Sequence, residues 1–151
     1  MRRLLASSLG LGLILGRLRG SDSGSGTLGA VLGAAIGLTL LAVDAPWWVS
    51  ALTATALIAI ALWAAHPFAD GDPGWVCIDE TAGTLIAVIG LAGWPWLAAV
   101  VVARLADIFK VLPGVAAAES LPGTLGITAD DAVAGLYGLA VGWGLTALAA
   151  L

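Results

Sequence analysis

The chain has 151 residues, of which 60% are hydrophobic and only 11% are charged, and its formal net charge is -4. An ordinary soluble domain carries about 25% charged residues, so this composition excludes a water-soluble globular protein. The length predicts one domain covering residues 1–151, and we expect no nucleic-acid partner. The lone cysteine, Cys77, excludes an intramolecular disulfide and leaves no zinc-binding pattern.

The first element is a short apolar stretch at residues 4–16, flanked by arginines on both sides. Arg2 and Arg3 precede it, and Arg17 and Arg19 follow it. A secretory signal would have a similar charged start, but no clear small-x-small cleavage site follows. The stretch therefore predicts a short interfacial or partly inserted helix.

Two apolar runs follow, at residues 28–43 and 47–65, and only Asp44-Ala45-Pro46 separates them. Each run is close to the roughly 20 residues that cross a bilayer. Proline is favoured at the start of a helix, so the second run begins directly after the turn. These runs predict a hairpin of two membrane spans.

The third apolar run, residues 81–103, is interrupted by Gly90, Gly93 and Pro95. Two arms of roughly 12 to 15 residues would each reach about 18 to 22 Å, short of the hydrocarbon thickness of about 30 Å. We therefore predict a broken, re-entrant helix pair with its break near Gly93 and Pro95. An unbroken span would instead place Asp79 and Asp107 on opposite sides of the membrane.

A last apolar run, residues 132–151, predicts a C-terminal span, and together the runs predict an all-α, polytopic membrane helical bundle. With the break, the three polar connections share one face, and so do all six lysines and arginines. The positive-inside rule makes that face cytoplasmic. Most of the ionisable residues lie in these connections, so chemistry is expected there.

Two acidic pairs are the first candidates for a site. Asp79-Glu80 and Asp130-Asp131 each precede an apolar helix in this interpretation. Capping of the helix N-terminus would explain one carboxylate of each pair. Adjacent carboxylates repel each other, however, and a shared divalent cation would relieve the repulsion. Magnesium, which takes hard oxygen ligands and sits between carboxylates and phosphate, is the best candidate.

Arg104, Asp107 and Lys110 follow one another at three-residue spacing, which predicts one face of a helix. A local salt-bridge ladder is the alternative, although such ladders stabilise little at a surface. Arginine suits bidentate phosphate contacts and lysine supplies a point charge. We favour phosphate recognition by Arg104 and Lys110.

Three segments resemble the phosphatidylglycerophosphatase A family of bacterial membrane enzymes. They are residues 72–83 (DPGWVCIDETAG), residues 104–110 (RLADIFK) and residues 125–135 (LGITADDAVAG). Gly26-Thr27-Leu28-Gly29 is similar to a further family element, which suggests Thr27 as a phosphate contact. The family usually continues its lysine with Pro-x-Pro, whereas Val111-Leu112-Pro113-Gly114 follows Lys110.

The resemblance implies removal of the terminal phosphate from phosphatidylglycerol phosphate, with Mg²⁺ as cofactor, in the phospholipid biosynthesis of a bacterial cytoplasmic membrane. The expected catalytic residues are Asp79, Glu80, Asp107, Asp130 and Asp131. The expected metal ligands are Asp79, Glu80, Asp130 and Asp131, with Asp72 as a further candidate. Either water or an aspartate could attack the phosphorus, and we favour water.

The main alternative is a small transporter or channel subunit whose carboxylates bind a translocated cation. Such a protein would carry its acids at mid-span depth, whereas these acids are predicted at helix ends.

Overall fold

The computed structural model describes residues 1–71 and 73–151. Within these ranges the chain forms α-helices and no strands, and His66–Phe68 forms a short 3-10 turn. The helices are α1 (Arg2–Ala6), α2 (Gly12–Arg19), α3 (Ser25–Ala42), α4 (Trp47–Ala65), α5 (Ile78–Ala87), α6 (Gly93–Phe109), α7 (Val115–Glu119) and α8 (Thr124–Ala149).

Three helical segments are long and apolar enough to cross a membrane. They are Ser25–Ala42 with 18 residues, Trp47–Phe68 with 22 residues and Thr124–Ala149 with 26 residues. The predicted class, an all-α polytopic membrane bundle, is confirmed. The predicted N-terminal helix is present as two short helices, α1 and α2.

The third apolar run is broken, as predicted, but the break lies earlier than expected. α5 ends at Ala87 and α6 begins at Gly93, so the turn precedes Pro95. Gly90 and Gly93 have φ angles of +68° and +63°, which are left-handed conformations that favour glycine. Pro95 lies in the first turn of α6, where its missing N–H costs no helical hydrogen bond. The two glycines, rather than the proline, reverse the chain.

α5 is the centre of the bundle, and α3, α4, α6 and α8 pack around it. It has 10 residues, so it rises only about 15 Å. The helix is covered by protein on nearly every side, which allows a short helix to sit at membrane depth. α3 and α4 follow each other through a short turn, as the predicted hairpin requires. However, both helices pack against α5 and make little contact with each other.

Small residues let α3 approach α5 closely. A Cβ at Gly29 would collide with the carbonyl oxygen of Cys77, and a Cβ at Gly33 with that of Thr81. Glycine at this four-residue spacing is a common means of bringing membrane helices together.

The last helix begins eight residues earlier than predicted, at Thr124 instead of Ala132. Asp130 and Asp131 therefore lie inside α8, and their expected position at a helix N-terminus is wrong. Gly126 lies inside α8, and a Cβ there would collide with the carbonyl oxygens of Glu119 and Leu121. This glycine serves close packing, and the helix runs through it. Asp79 and Glu80 lie in the first turn of α5, which begins at Ile78.

Candidate active site

Three carboxylates from two helices meet at one end of the bundle. Asp79 and Glu80 come from α5 and Asp131 from α8, and one oxygen from each lies within 4.8 Å of the others. Two facing glycines allow this approach. A Cβ at Gly83 would collide with the carbonyl of Asp131, and a Cβ at Gly135 with that of Gly83. The contact between α5 and α8 thus positions the cluster.

The cluster contains a buried carboxylate oxygen that has no hydrogen-bond partner among the described residues. Oε2 of Glu80 is buried and accepts no hydrogen bond from any described residue. Oδ1 of Asp79 accepts one from the backbone N–H of Glu80, at 3.1 Å. Burial, reinforced by the neighbouring charge of Asp79, raises the pKa of Glu80 well above its usual range. An unpaired buried carboxylate is costly, and a cation would relieve that cost.

Arg104 lies beside this acid cluster. Its Nη1 is 2.7 Å from Oδ2 of Asp107, one helical turn along α6, and 4.0 Å from Oδ1 of Asp131. A Cβ at Gly26 would collide with Oε1 of Glu80 and would lie 3.4 Å from Nη2 of Arg104. The first turn of α3 therefore packs directly against the cluster, and the lack of a side chain at Gly26 makes this close contact possible.

Lys110 does not continue the helical face of Arg104 and Asp107. It ends α6 in a left-handed conformation, with φ of 51°. Its Nζ lies 2.8 Å from Oδ2 of Asp130 and 2.5 Å from Oε1 of Glu119. Burial lowers the pKa of Lys110, but the hydrogen bonds to these two carboxylates outweigh it and raise that pKa above its usual range.

The charged groups surround a cavity of about 360 Å³. The connection before α5 and the segment between α6 and α8 complete its wall. The charged side chains that line it in the described part of the chain are Asp79, Glu80, Asp107, Lys110, Glu119, Asp130 and Asp131. Since acids outnumber cations here, an anionic substrate would need additional positive charge in the cavity.

Most of the predicted site residues are brought together. Six of them line the cavity, and Arg104 contacts two of those six. Thr27 is exposed in the first turn of α3, and its neighbour Gly26 is the residue that approaches Glu80. Asp72 lies outside the described residues. The roles assigned to all these side chains stay predictions.

Glu119 was missed by the sequence interpretation. It lies nine residues after Lys110, beyond the turn into α7, so no local spacing connects the two charges. The available signal was an isolated acid at the end of an apolar segment, Val115–Glu119. Its ion pair with Lys110 exists only because the chain between them folds back.

Comparison with known proteins gives one family and one relative. The model of the family described as phosphatidylglycerophosphatase A matches residues 4–146. A Bacteroides thetaiotaomicron protein with the provisional name phosphatidylinositol-3-phosphatase is 32% identical over 106 residues, which cover 65% of this chain. The match spans 66% of the relative's own length, just under two thirds. No solved structure matches the chain. Because the family match extends over almost the whole chain, the protein belongs to the phosphatidylglycerophosphatase A family.

Proposed function

We propose that this chain is a magnesium-dependent lipid phosphatase that hydrolyses phosphatidylglycerol phosphate to phosphatidylglycerol and phosphate. The observation that carries the proposal is the meeting of three carboxylates, from Asp79, Glu80 and Asp131, within 4.8 Å in a cavity that Lys110 also lines. Membership of the family supports the substrate and the reaction.

The residues present fit a magnesium ion. Asp79, Glu80 and Asp131 would hold it, because they offer hard oxygen ligands and one buried oxygen of Glu80 has no described protein partner. When bound, the ion polarises a phosphoryl oxygen and lowers the pKa of bound water. Asp130 was also expected as a ligand, but its Oδ2 contacts Lys110, and we assign it to holding that ammonium.

The cationic side chains bind the phosphate in this proposal. Arg104 and Lys110 neutralise phosphate oxygens, and Asp107 orients the Arg104 guanidinium through their contact of 2.7 Å. Water is the proposed nucleophile, and Asp107, which lines the cavity, accepts its proton. A bond forms between the water oxygen and phosphorus, the bond between phosphorus and the lipid alcohol oxygen breaks, and that alcohol oxygen takes up the proton that Asp107 accepted.

The proposed setting is a bacterial cytoplasmic membrane, with the catalytic cavity on the cytoplasmic face and residues 1–151 as one membrane-embedded domain. The arginines near the N-terminus support this orientation through the positive-inside rule. A phospholipid reaches such a cavity by lateral diffusion while its acyl chains stay in the bilayer. Cysteines introduced at Asp70 and Ser120 should react with a cytoplasmic reagent, and one introduced at Asp44 should react from the other side.

Phosphate release from phosphatidylglycerol phosphate in detergent tests the activity directly. We expect release with Mg²⁺, none with EDTA, and strongly reduced release in Asp79→Asn and Asp131→Asn at the Mg²⁺ concentration that half-saturates wild type. Asp44→Asn, an exposed carboxylate in the turn after α3, is the matched control and should keep full activity. Phosphatidylinositol 3-phosphate serves as the competing substrate. Faster hydrolysis of that lipid would overturn the substrate assignment, and unchanged turnover in both site variants would overturn the site.

Transport of a cation is the alternative from the sequence. It would require acids along a path through the bundle. The six acids that line the cavity instead gather at one end, around the start of α5 and the end of α6. Nothing in the described structure favours transport over hydrolysis.

A further inference from the structure

A second cavity, of about 250 Å³, lies against the two N-terminal helices. Its walls are formed by α1, α2, the segment between α2 and α3, and Trp75 in the connection before α5. Its lining residues are Arg3, Leu13, Gly16, Arg17, Asp22 and Trp75. Two arginines from different helices thus face one small space, outside the charged cavity described above.

Neither arginine is neutralised by a described carboxylate. The ion pairs within 4.0 Å in the described part of the chain involve Arg104 and Lys110, and none involves Arg3 or Arg17. The Arg3 guanidinium lies 5.3 Å from the ring centre of Trp75. This aromatic face positions the cation but leaves its charge available. Guanidinium groups are well suited to phosphate because their N–H groups form paired contacts with its oxygens.

The two helices that carry these arginines, and the residues between them, also carry exposed leucines. Leu4 in α1 is 51% exposed, Leu18 in α2 is 76% exposed, and Leu9 between the helices is 64% exposed. Short helices that combine arginines with exposed leucines are typical of segments at the membrane interface. A ligand with an anionic head and apolar chains would match both features.

Asp22 restricts the charge of that ligand. Its carboxylate lies over Gly16, where a Cβ would collide with Oδ1 of Asp22. With Arg3 and Arg17, it gives the cavity a formal charge of +1 from two cations and one anion. This balance complements the single negative charge of a phosphodiester better than the double charge of a phosphate monoester.

We propose that Arg3 and Arg17 form a binding site for the phosphodiester headgroup of an anionic phospholipid, separate from the catalytic cavity. Trp75 forms one wall of the site, and the exposed leucines of α1 and α2 contact the acyl chains. Trp75 also connects the two cavities, because its neighbours Gly74 and Val76 line the catalytic one.

The test titrates dioctanoylphosphatidylglycerol into the full chain in a neutral detergent with EDTA, and measures binding by calorimetry. Arg3→Gln/Arg17→Gln is compared with Arg2→Gln/Arg19→Gln. The control pair removes the same charge from the same two helices, but neither residue lines the cavity. None of these four arginines lines the catalytic cavity, so the difference between the two pairs reports the second site whether or not the chain is a phosphatase.

We expect Arg3→Gln/Arg17→Gln to raise the dissociation constant at least about tenfold, and the control pair to raise it less than about threefold. Asp22→Asn should tighten binding, because it removes the one opposing charge. Dioctanoylphosphatidylcholine should bind weakly to every variant. Equal weakening by the two pairs would show diffuse surface attraction and overturn the site, and so would unchanged binding by both. Equal thermal unfolding midpoints of the pairs would exclude misfolding as the cause of a difference.

Discussion

The ammonium of Lys110 lies 2.8 Å from Oδ2 of Asp130, an ion pair that ties the end of α6 to α8. Asp131, the next residue, instead joins the cluster with Asp79 and Glu80. The two adjacent acids therefore have different neighbours: Asp130 pairs with Lys110, whereas Asp131 lies in the acid cluster with Arg104 at its edge.

These different neighbours predict different kinetic effects in two adjacent variants. Asp130→Asn should raise the KM for the lipid about tenfold, because Lys110 loses the buried carboxylate that holds its ammonium in place, and should leave the Mg²⁺ dependence unchanged. Asp131→Asn should raise the Mg²⁺ concentration needed for half-maximal turnover. Steady-state phosphate release over a grid of lipid and Mg²⁺ concentrations separates the two effects. Indistinguishable kinetics in the two variants would refute separate roles.

Glu119 is expected to compete with the substrate for Lys110. Its side chain is 53% exposed, against 8% for Asp130, so an incoming phosphate displaces the more exposed carboxylate. Glu119→Gln removes that competing charge and should lower KM about threefold with kcat unchanged. Initial rates of phosphate release measure both constants. A higher KM in Glu119→Gln would show that Glu119 helps to bind the lipid.

The contact between Gly83 and Gly135 should be sensitive to a single methyl group. Gly135→Ala places a Cβ against the carbonyl oxygen of Gly83, and overpacking of this kind costs about 2 kcal/mol. Thermal unfolding in detergent should show a lower midpoint, accompanied by reduced turnover. Gly144→Ala on the same helix is the control, since no described atom beyond its chain neighbours and its own helix backbone lies within 4 Å of the added Cβ. Equal midpoints for the two variants would argue against this packing.

Cys77 should resist alkylation in the folded protein. Desolvation by burial is the main cause that raises the pKa of its thiol from 9.0 to about 11. Since the thiolate is the reactive form, a two-unit rise lowers its fraction about 100-fold at pH 8. Labelling by iodoacetamide should therefore be slow at pH 8, accelerate as the pH rises towards 11, and become rapid after denaturation. Rapid labelling of the native protein at pH 8 would show that the thiol is accessible.

The apolar runs and their interruption were predictable because membrane spans depend on length and composition, which are local properties. Gly90 and Gly93 indicated the break in the third run, although the chain turns before Pro95. The start of α8 was not predictable in the same way. Glycine is common in turns, but Gly126 lies inside the helix. A glycine is needed there because the backbone carbonyls of Glu119 and Leu121 pack against it.

The same distinction holds for the site: contacts within one helix could be predicted from sequence spacing, whereas contacts between distant segments could not. The contact of Arg104 with Asp107 follows from spacing along one helix, and the structure contains it. Lys110 leaves that helical face because its backbone is left-handed, which an i, i+3 pattern does not predict. Its pairing with Glu119 depends on the path of the chain through α7, so sequence spacing gave no indication of it.

The most direct test of the proposed metal cluster is a Mg²⁺ titration of phosphate release from phosphatidylglycerol phosphate, comparing wild type, Glu80→Gln and Asp44→Asn. Glu80→Gln removes the carboxylate whose buried oxygen has no described protein partner. We predict that it shifts half-maximal release to at least about tenfold higher Mg²⁺, while Asp44→Asn follows the wild-type curve. A Glu80→Gln curve that superimposes on wild type would contradict a metal site at this cluster.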